Sequence, residues 1–173
     1  MLTNRHAEVR DIQELNLLVN RAYRGDEAKK GWTNEAHLIE GVRTTPENLK
    51  ALIEKPHSGV ELIYQDGNLI GCFQFDVVPG ESFYFGMLVV DPTLQNQGIG
   101  KQIFGIIDAE AQKNGCKKVK LFVIHSRPEL IAYYERRNFK LTGYEEPFPS
   151  HDPSNGKLLV DELRLLEMEK ILI

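Results

Sequence analysis

The sequence predicts a layered α/β fold: a mixed, mostly antiparallel central sheet of six to seven strands with helices on both faces. Three observations carry this expectation. Apolar residues recur at helical spacing ahead of residue 54, whereas from Gly59 the period falls to two. Between 59 and 90 three strand-like runs are separated by short turn signals, which describes an antiparallel meander. From Ser82 to Ile124 a strand, a helix and a strand follow one another, and such a crossover is right-handed and joins parallel strands.

Taken in order, residues 9–23 carry Ile12, Leu15, Leu18, Val19 and Ala22 on one helical stripe, with Asp11 near the start and Gly25 ending the pattern. Residues 24–30 are charged and read as a loop. Trp32, Thr33, Asn34 and Glu35 open a second short helix. Thr45 followed by Pro46 is a cap with proline at the first helical position, and that helix buries Leu49, Leu52 and Ile53. The first third of the chain is therefore expected to be helical and to lie ahead of the sheet. Strands at 60–64 and 69–78 flank Gln65-Asp66-Gly67-Asn68, whose Asp-Gly pair signals a tight hairpin, and Pro79-Gly80 turns the chain into a strand over Ser82–Val90. A helix from Ile99 stops at Asn114-Gly115, followed by a strand over Lys118–Ile124 parallel to Ser82–Val90. Ser126-Arg127-Pro128-Glu129 has the form of a capping box, starting a helix that runs to Arg137, with Asn138 able to take the left-handed conformation. Residues 139–144 form a strand, 145–157 a polar loop, and 164–173, whose pattern fits strand or helix, is read as a last strand. That strand could pair within the chain or with a second copy in a homodimer, and the sequence leaves both open.

Composition narrows the function. At 173 residues the chain can form one domain, 1–173, with a real core, and 42% hydrophobic content is ordinary for a globule. Net charge is −4 without a long basic run, which argues against nucleic acid. No apolar run reaches transmembrane length, and Met1 to His6 leads into polar sequence, so a cytoplasmic protein without a membrane partner is expected. Cys72 and Cys116 make neither a disulfide framework nor a metal cluster, and no metal site is expected.

The stretch that bears chemistry is the passage from Leu88-Val89-Val90 through a loop to Gly98-Ile99-Gly100-Lys101. A strand ends where a helix begins, and the free N–H groups of the first helical turn, with the positive end of the helix dipole, suit a phosphate. The two glycines let that anion reach the backbone. A dinucleotide fingerprint fails because Ile103 occupies its third glycine, and a P-loop fails because Gln95 occupies its first glycine and Gln102 follows Lys101.

What fits is Gln95-Asn96-Gln97-Gly98-Ile99-Gly100, which resembles the Q/R-x-x-G-x-G/A pyrophosphate loop of the GNAT superfamily of N-acetyltransferases. Farther on, Tyr134-Glu135-Arg136-Arg137-Asn138-Phe139 is similar to the family's Y-E-K-x-G-F. The resemblance implies acetyl-coenzyme A as cofactor, with the strand before the loop splaying from its parallel neighbour at a bulge to open a cleft. It implies that the backbone of Leu88, Val89 and Val90 pairs with the pantetheine arm. The segment Gln95, Asn96, Gln97, Gly98, Ile99, Gly100 and Lys101 would wrap the pyrophosphate. Arg127 stands where the family commonly has asparagine, and either pairs with a cofactor phosphate or is a solvated arginine at a helix start. Gln95 and Asn96 stand where many members have Arg-Gly, removing one positive charge.

The implied chemistry is acetyl transfer to a primary amine of a small molecule or peptide by direct attack in a ternary complex. The negative charge that develops on the carbonyl oxygen needs N–H donors, which Val90 or Val89 would supply, and the leaving thiolate benefits from a proton. Helical spacing turns Tyr134 toward the sheet and Tyr133 about 100° away. Tyr134 is thus the candidate proton donor, the competing reading being a core tyrosine whose hydroxyl meets a carbonyl. For a general base, Glu81 and Tyr84 lie on opposite faces of their strand, so at most one faces the cleft, and Glu35 is a distant option. His125, alone at a strand end, reads as structural. Asp26, Glu27 and Glu35 around Trp32 would hold a cationic acceptor, or else form a solvated loop. The alternative function is a non-catalytic acyl-coenzyme A sensing module of the same fold.

Overall fold

The computed structural model describes residues 1–23, 37–94, 97–149 and 157–173. In chain order the elements are β1 (Leu2–His6), α1 (Ile12–Tyr23), β2 (Ile39–Glu40), α2 (Pro46–Glu54), β3 (Ser58–Gln65), β4 (Asn68–Val78), β5 (Ser82–Val90), α3 (Ile99–Lys113), β6 (Lys118–Ile124), α4 (Pro128–Glu135), β7 (Lys140–Pro147), β8 (Lys157–Leu158) and β9 (Arg164–Ile171). Seven strands form one sheet in the order β1-β3-β4-β5-β6-β9-β7, and β2 pairs with β8 apart from it. Among the described strands only β5 and β6 pair in parallel, as the crossover through α3 requires.

Local chemistry accounts for most boundaries. Thr45 Oγ1 accepts from the Asn48 N–H at 3.2 Å and Pro46 takes the first turn of α2. Asp66 and Gly67, with φ of 51° and 81°, make the two-residue turn between β3 and β4, where positive φ at both positions matches the strands' twist. Asn138 has φ 69° after α4, as its tolerance of that region allows.

Three expectations are corrected. The chain does not begin with helix: Leu2–His6 is an edge strand pairing antiparallel with β3. It has one apolar side chain in five, so pairing with β3 rather than its own pattern makes it a strand. The Ser126 capping box does not form, because the turn continues one residue further. Arg127 is the cap residue, its carbonyl accepts from Leu130 and Ile131, and the Glu129 carboxylate takes the Arg127 Nε–H at 3.1 Å instead. Finally, the short β2 and β8 pair was not foreseen, two residues being too few for any periodicity. The predicted helix opening at Trp32 to Glu35 lies outside the described residues. The last strand pairs within the chain, between β6 and β7.

The sheet separates two apolar layers. On one face α1 and α2 pack Leu15, Val19 and Leu49 against Val60, Leu62, Cys72, Met87 and Val89. On the other, α3 and α4 pack Ile103, Phe104, Ile107 and Tyr134 against Phe73, Phe83, Phe85 and Leu121. Phe83 and Phe85 thus face α3 while Met87 and Val89, also odd-numbered, face α1. Alternation alone would put all four on one face. A bulge reverses it: the β4 register shifts between Cys72 and Gln74, and Met87 has φ 46°, rare outside glycine.

Candidate functional site

The pairing of β5 with β6 covers only Ser82 to Tyr84 against Lys118 to Lys120, although β5 continues to Val90 and β6 to Ile124. Past Tyr84 the two strands part, and the bulge at Met87 carries β5 away. The opening is a cavity of about 570 Å³ that passes through the sheet. Its walls include Tyr84 to Val90 of β5, Leu121 to Ile124 of β6, the start of α3, and residues of α1 and α4. Arg21 of α1 is ion-paired to Asp91, just beyond β5, so the wall on the α1 side is fastened to the strand end. Tyr23 adds a second tie, its hydroxyl donating to the Leu88 carbonyl at 3.0 Å.

The α3 end of the cavity is built from the loop outward. Asp91 turns the chain by accepting from the Thr93 N–H at 3.0 Å and the Thr93 hydroxyl at 2.7 Å. Gly98 then caps α3 with φ 76°, a conformation that disfavours a side chain. Among the described residues no side chain caps this terminus, and its first turn holds no acid. The N–H groups of that turn therefore point into the cavity end with the helix dipole behind them. Gly100 has no room for a Cβ, which would stand 2.7 Å from the Tyr133 hydroxyl. Arg137 stands over the Tyr133 ring, its guanidinium carbon 3.6 Å from the centroid, and donates to the Tyr133 carbonyl at 3.1 Å. Lys101, Arg136 and Arg137 all line this end. An anion here meets oriented N–H dipoles and three cations in a chain whose net charge is −4.

Deeper in, Tyr134 is 8% exposed, with Phe85, Phe104 and Phe139 at ring distances of 5.9–6.4 Å. Burial raises its phenol pKa, with Tyr133 adding to the rise and Arg127 opposing it. Its hydroxyl has no hydrogen-bond partner among the described residues, and the ring lines the cavity. Arg127 is 4% exposed in the same wall, so it is not a solvated arginine. Tyr84 also lines the cavity, and burial raises its pKa.

The structure brings Leu88, Val89, Val90, Gly98, Ile99, Gly100, Lys101, Arg127 and Tyr134 together around one cavity. Gln97 is exposed beside it, and Gln95 and Asn96 lie outside the described residues, as do Asp26, Glu27, Trp32 and Glu35. Glu81 is corrected: it is exposed in the turn before β5, its carbonyl accepting from Lys117, and the cavity wall begins only at Tyr84. The strand continues nine residues from Ser82, so Glu81 sits at the wrong end of it. His125 holds β6 to β9, its Nδ1 accepting from the Arg164 N–H at 2.9 Å. Tyr133, Arg136, Arg137, Tyr23 and Arg43 were missed as wall residues. The adjacent tyrosines and paired arginines were visible, but helical geometry placed Tyr133 away from the sheet without showing that the cavity reaches round to it.

Comparison with known proteins adds the lineage. The described profile "Acetyltransferase (GNAT) family" matches residues 12–139. A curated relative, the uncharacterized protein YdhI of Bacillus subtilis (strain 168), is 23% identical over 82 residues, 47% of this chain and 49% of the relative. The match thus spans about half the length of that relative. Among solved structures, the ribosomal-protein-S18-alanine N-acetyltransferase from Escherichia coli superposes with TM-score 0.69 at 17% identity over 99% of this chain and 94% of that one. An N-acetyltransferase from Staphylococcus aureus Mu50 gives 0.69 at 17% over 100% and 99%. A GNAT family acetyltransferase from Elizabethkingia anophelis, solved with acetyl-CoA bound, gives 0.57 at 20% over 74% and 84%. Because that profile covers most of the chain, the chain belongs to the GNAT family of acetyltransferases.

Proposed function

We propose that the protein is an N-acetyltransferase that moves the acetyl group of acetyl-coenzyme A to a primary amine. One observation carries the reading: a single cavity joins the uncapped N-terminus of α3, with its three cations, to a buried tyrosine at the split between two parallel strands. Phosphates suit the first end and a reacting carbonyl the second. When bound, acetyl-coenzyme A supplies a thioester carbonyl, on which a C–N bond to the amine forms as the C–S bond breaks, giving an amide and a thiol.

The chain's own residues divide the work. The first-turn N–H groups of Ile99, Gly100 and Lys101 bind pyrophosphate, while Lys101, Arg136 and Arg137 balance its charge. Leu88 to Val90 offer backbone to the pantetheine arm in the manner of an added strand. The N–H of Val89 or Val90 stabilises negative charge on the carbonyl oxygen. Tyr134, kept a neutral phenol by burial, is suited to give a proton to the departing sulfur rather than to take one from the amine. Arg127, close enough to affect that phenol, strengthens it as an acid. No carboxylate among the described wall residues serves as base, so the amine loses its proton to water or arrives neutral.

The test is thiol release from acetyl-coenzyme A with a panel of amines, together with calorimetry of cofactor binding. Amine-dependent release with formation of the acetylated amine supports the reading. Binding without release for any amine points to a sensing module, and no binding at all overturns both.

A further inference from the structure

The described wall of the cavity carries five cations, Arg43, Lys101, Arg127, Arg136 and Arg137, and no carboxylate. Three of them cluster at the α3 end. Arg43 reaches the opening from the other face of the sheet, between β2 and α2, and no cofactor phosphate on the α3 terminus needs it. Its backbone is firmly set: the Arg43 N–H donates to Asn20 Oδ1 at 2.5 Å and the Thr44 N–H to the same oxygen at 3.1 Å. Asn20 Nδ2 returns a bond to the Thr44 carbonyl at 3.0 Å. The guanidinium stands over the Tyr23 ring, 5.1 Å from its centroid. Arg5, Arg21, Arg127 and Arg164 each pair with a carboxylate, but among the described residues none pairs with Arg43. Facing it across the same mouth are Tyr84 and Phe122, with rings 6.0 Å apart, and Phe148.

We propose that the acceptor is an amine bearing its own carboxylate, an α-amino acid, whose anion docks on Arg43 while its side chain lies against Tyr84 and Phe122. This rests on the acyl-transfer reading above and adds the substrate class. A guanidinium fork matches a carboxylate in two parallel hydrogen bonds. The same wall works against a polyamine or a lysine side chain, whose charge would meet no carboxylate among the described wall residues. The other cations of the wall, which the acceptor's carboxylate does not neutralise, lower the pKa of the reacting ammonium, since nearby like charges favour the neutral form. The carboxylate-lined loop inferred from Asp26, Glu27 and Glu35 lies outside the described residues, and the described mouth has the opposite charge.

The experiment compares matched acceptors by thiol release: L-phenylalanine, its amide and phenethylamine, and L-leucine, its amide and 3-methylbutylamine. The amides matter because their amine has a low pKa yet no carboxylate, so preference for the acid over the amide reports recognition of the anion rather than amine ionisation. The acids are expected to exceed both analogues in kcat/KM by about ten- to a hundredfold, the usual range for a charged hydrogen bond. Arg43→Met should raise KM for the acids by a similar factor with little change for the amines, Arg43→Lys should restore part of it, and acetyl-coenzyme A affinity by calorimetry should stay unchanged. Amines or amides used as well as acids, or Arg43→Met lowering all acceptors equally, would overturn the proposal while leaving an acetyltransferase. Release with none of these acceptors but with other amines, or with polyamines alone, overturns it too and leaves the acetyltransferase reading standing, whereas cofactor binding without release for any amine tested removes that reading as well.

Discussion

At the scale of single residues, Tyr134 owes its proposed role to its neighbours rather than to its own chemistry. Three phenylalanine rings exclude water, which penalises the phenolate and keeps the proton in place. Tyr134→Phe retains the ring and its packing and removes only the hydroxyl. It should lower kcat by about 10²–10⁴-fold, the usual worth of a general acid, while acetyl-coenzyme A affinity stays nearly constant. Steady-state kinetics and calorimetry on the same variant check this, and full activity at every pH would leave Tyr134 a core residue. Helical spacing alone puts Tyr134 on the inner face of α4. It could not put Arg127 in the wall, because an arginine beside a proline at a helix start is exposed in most folds.

At the scale of elements, the start of α3 combines two glycines with different physical roles. A Cβ at Gly98 would touch nothing, so the demand there is the positive φ of 76°. At Gly100 the demand is space, since a side chain would displace the Tyr133 hydroxyl and with it the Arg137 guanidinium over that ring. Gly98→Val and Gly100→Val should each weaken acetyl-coenzyme A binding by more than about tenfold, with the far-ultraviolet circular dichroism of the fold retained. Gly98→Asn should be milder, because asparagine tolerates the left-handed region. Unchanged affinity in both valine variants would remove the loop from the binding site. The bulge at Met87 is an element-scale feature that the family resemblance implied but that the alternation of the strand did not reveal. Phe83, Phe85, Met87 and Val89 alternate without interruption, and only the shifted β4 register shows that the last two face the opposite layer.

At the scale of the whole molecule, the sheet edge stores a pH dependence. Glu61 of β3 is 2% exposed beneath β1. Asn4 Nδ2 donates to its Oε1 at 2.5 Å, and His6 Nε2 lies 3.1 Å from its Oε2. Burial raises its pKa, Asn4, His6 and Lys113 oppose the rise, and Glu110 adds to it. A carboxyl with a raised folded pKa stabilises the fold fully below its unfolded value, near 4.5, and that contribution fades as pH climbs through the folded value. Glu61→Gln stays neutral throughout. The Tm of the variant relative to the parent should therefore rise between pH 4 and pH 7, and parallel Tm profiles for the two proteins would refute the buried carboxyl as the cause.

The order of the described helices, the meander and the crossover were legible in the sequence, because each follows from periodicity and turns acting over a few residues. That Gly98, Gly100 and Tyr134 line one cavity agrees with the expectation drawn from the family resemblance, which reads two short motifs and not periodicity. What tertiary structure alone decided are the features that depend on a neighbour distant in sequence. Leu2–His6 is a strand only because β3 offers it an edge. Glu81 leaves the site because β5 opens from β6 at Tyr84, at the other end of the strand. Arg43 enters the site because Asn20, more than twenty residues earlier, fastens its backbone beside the opening between those strands.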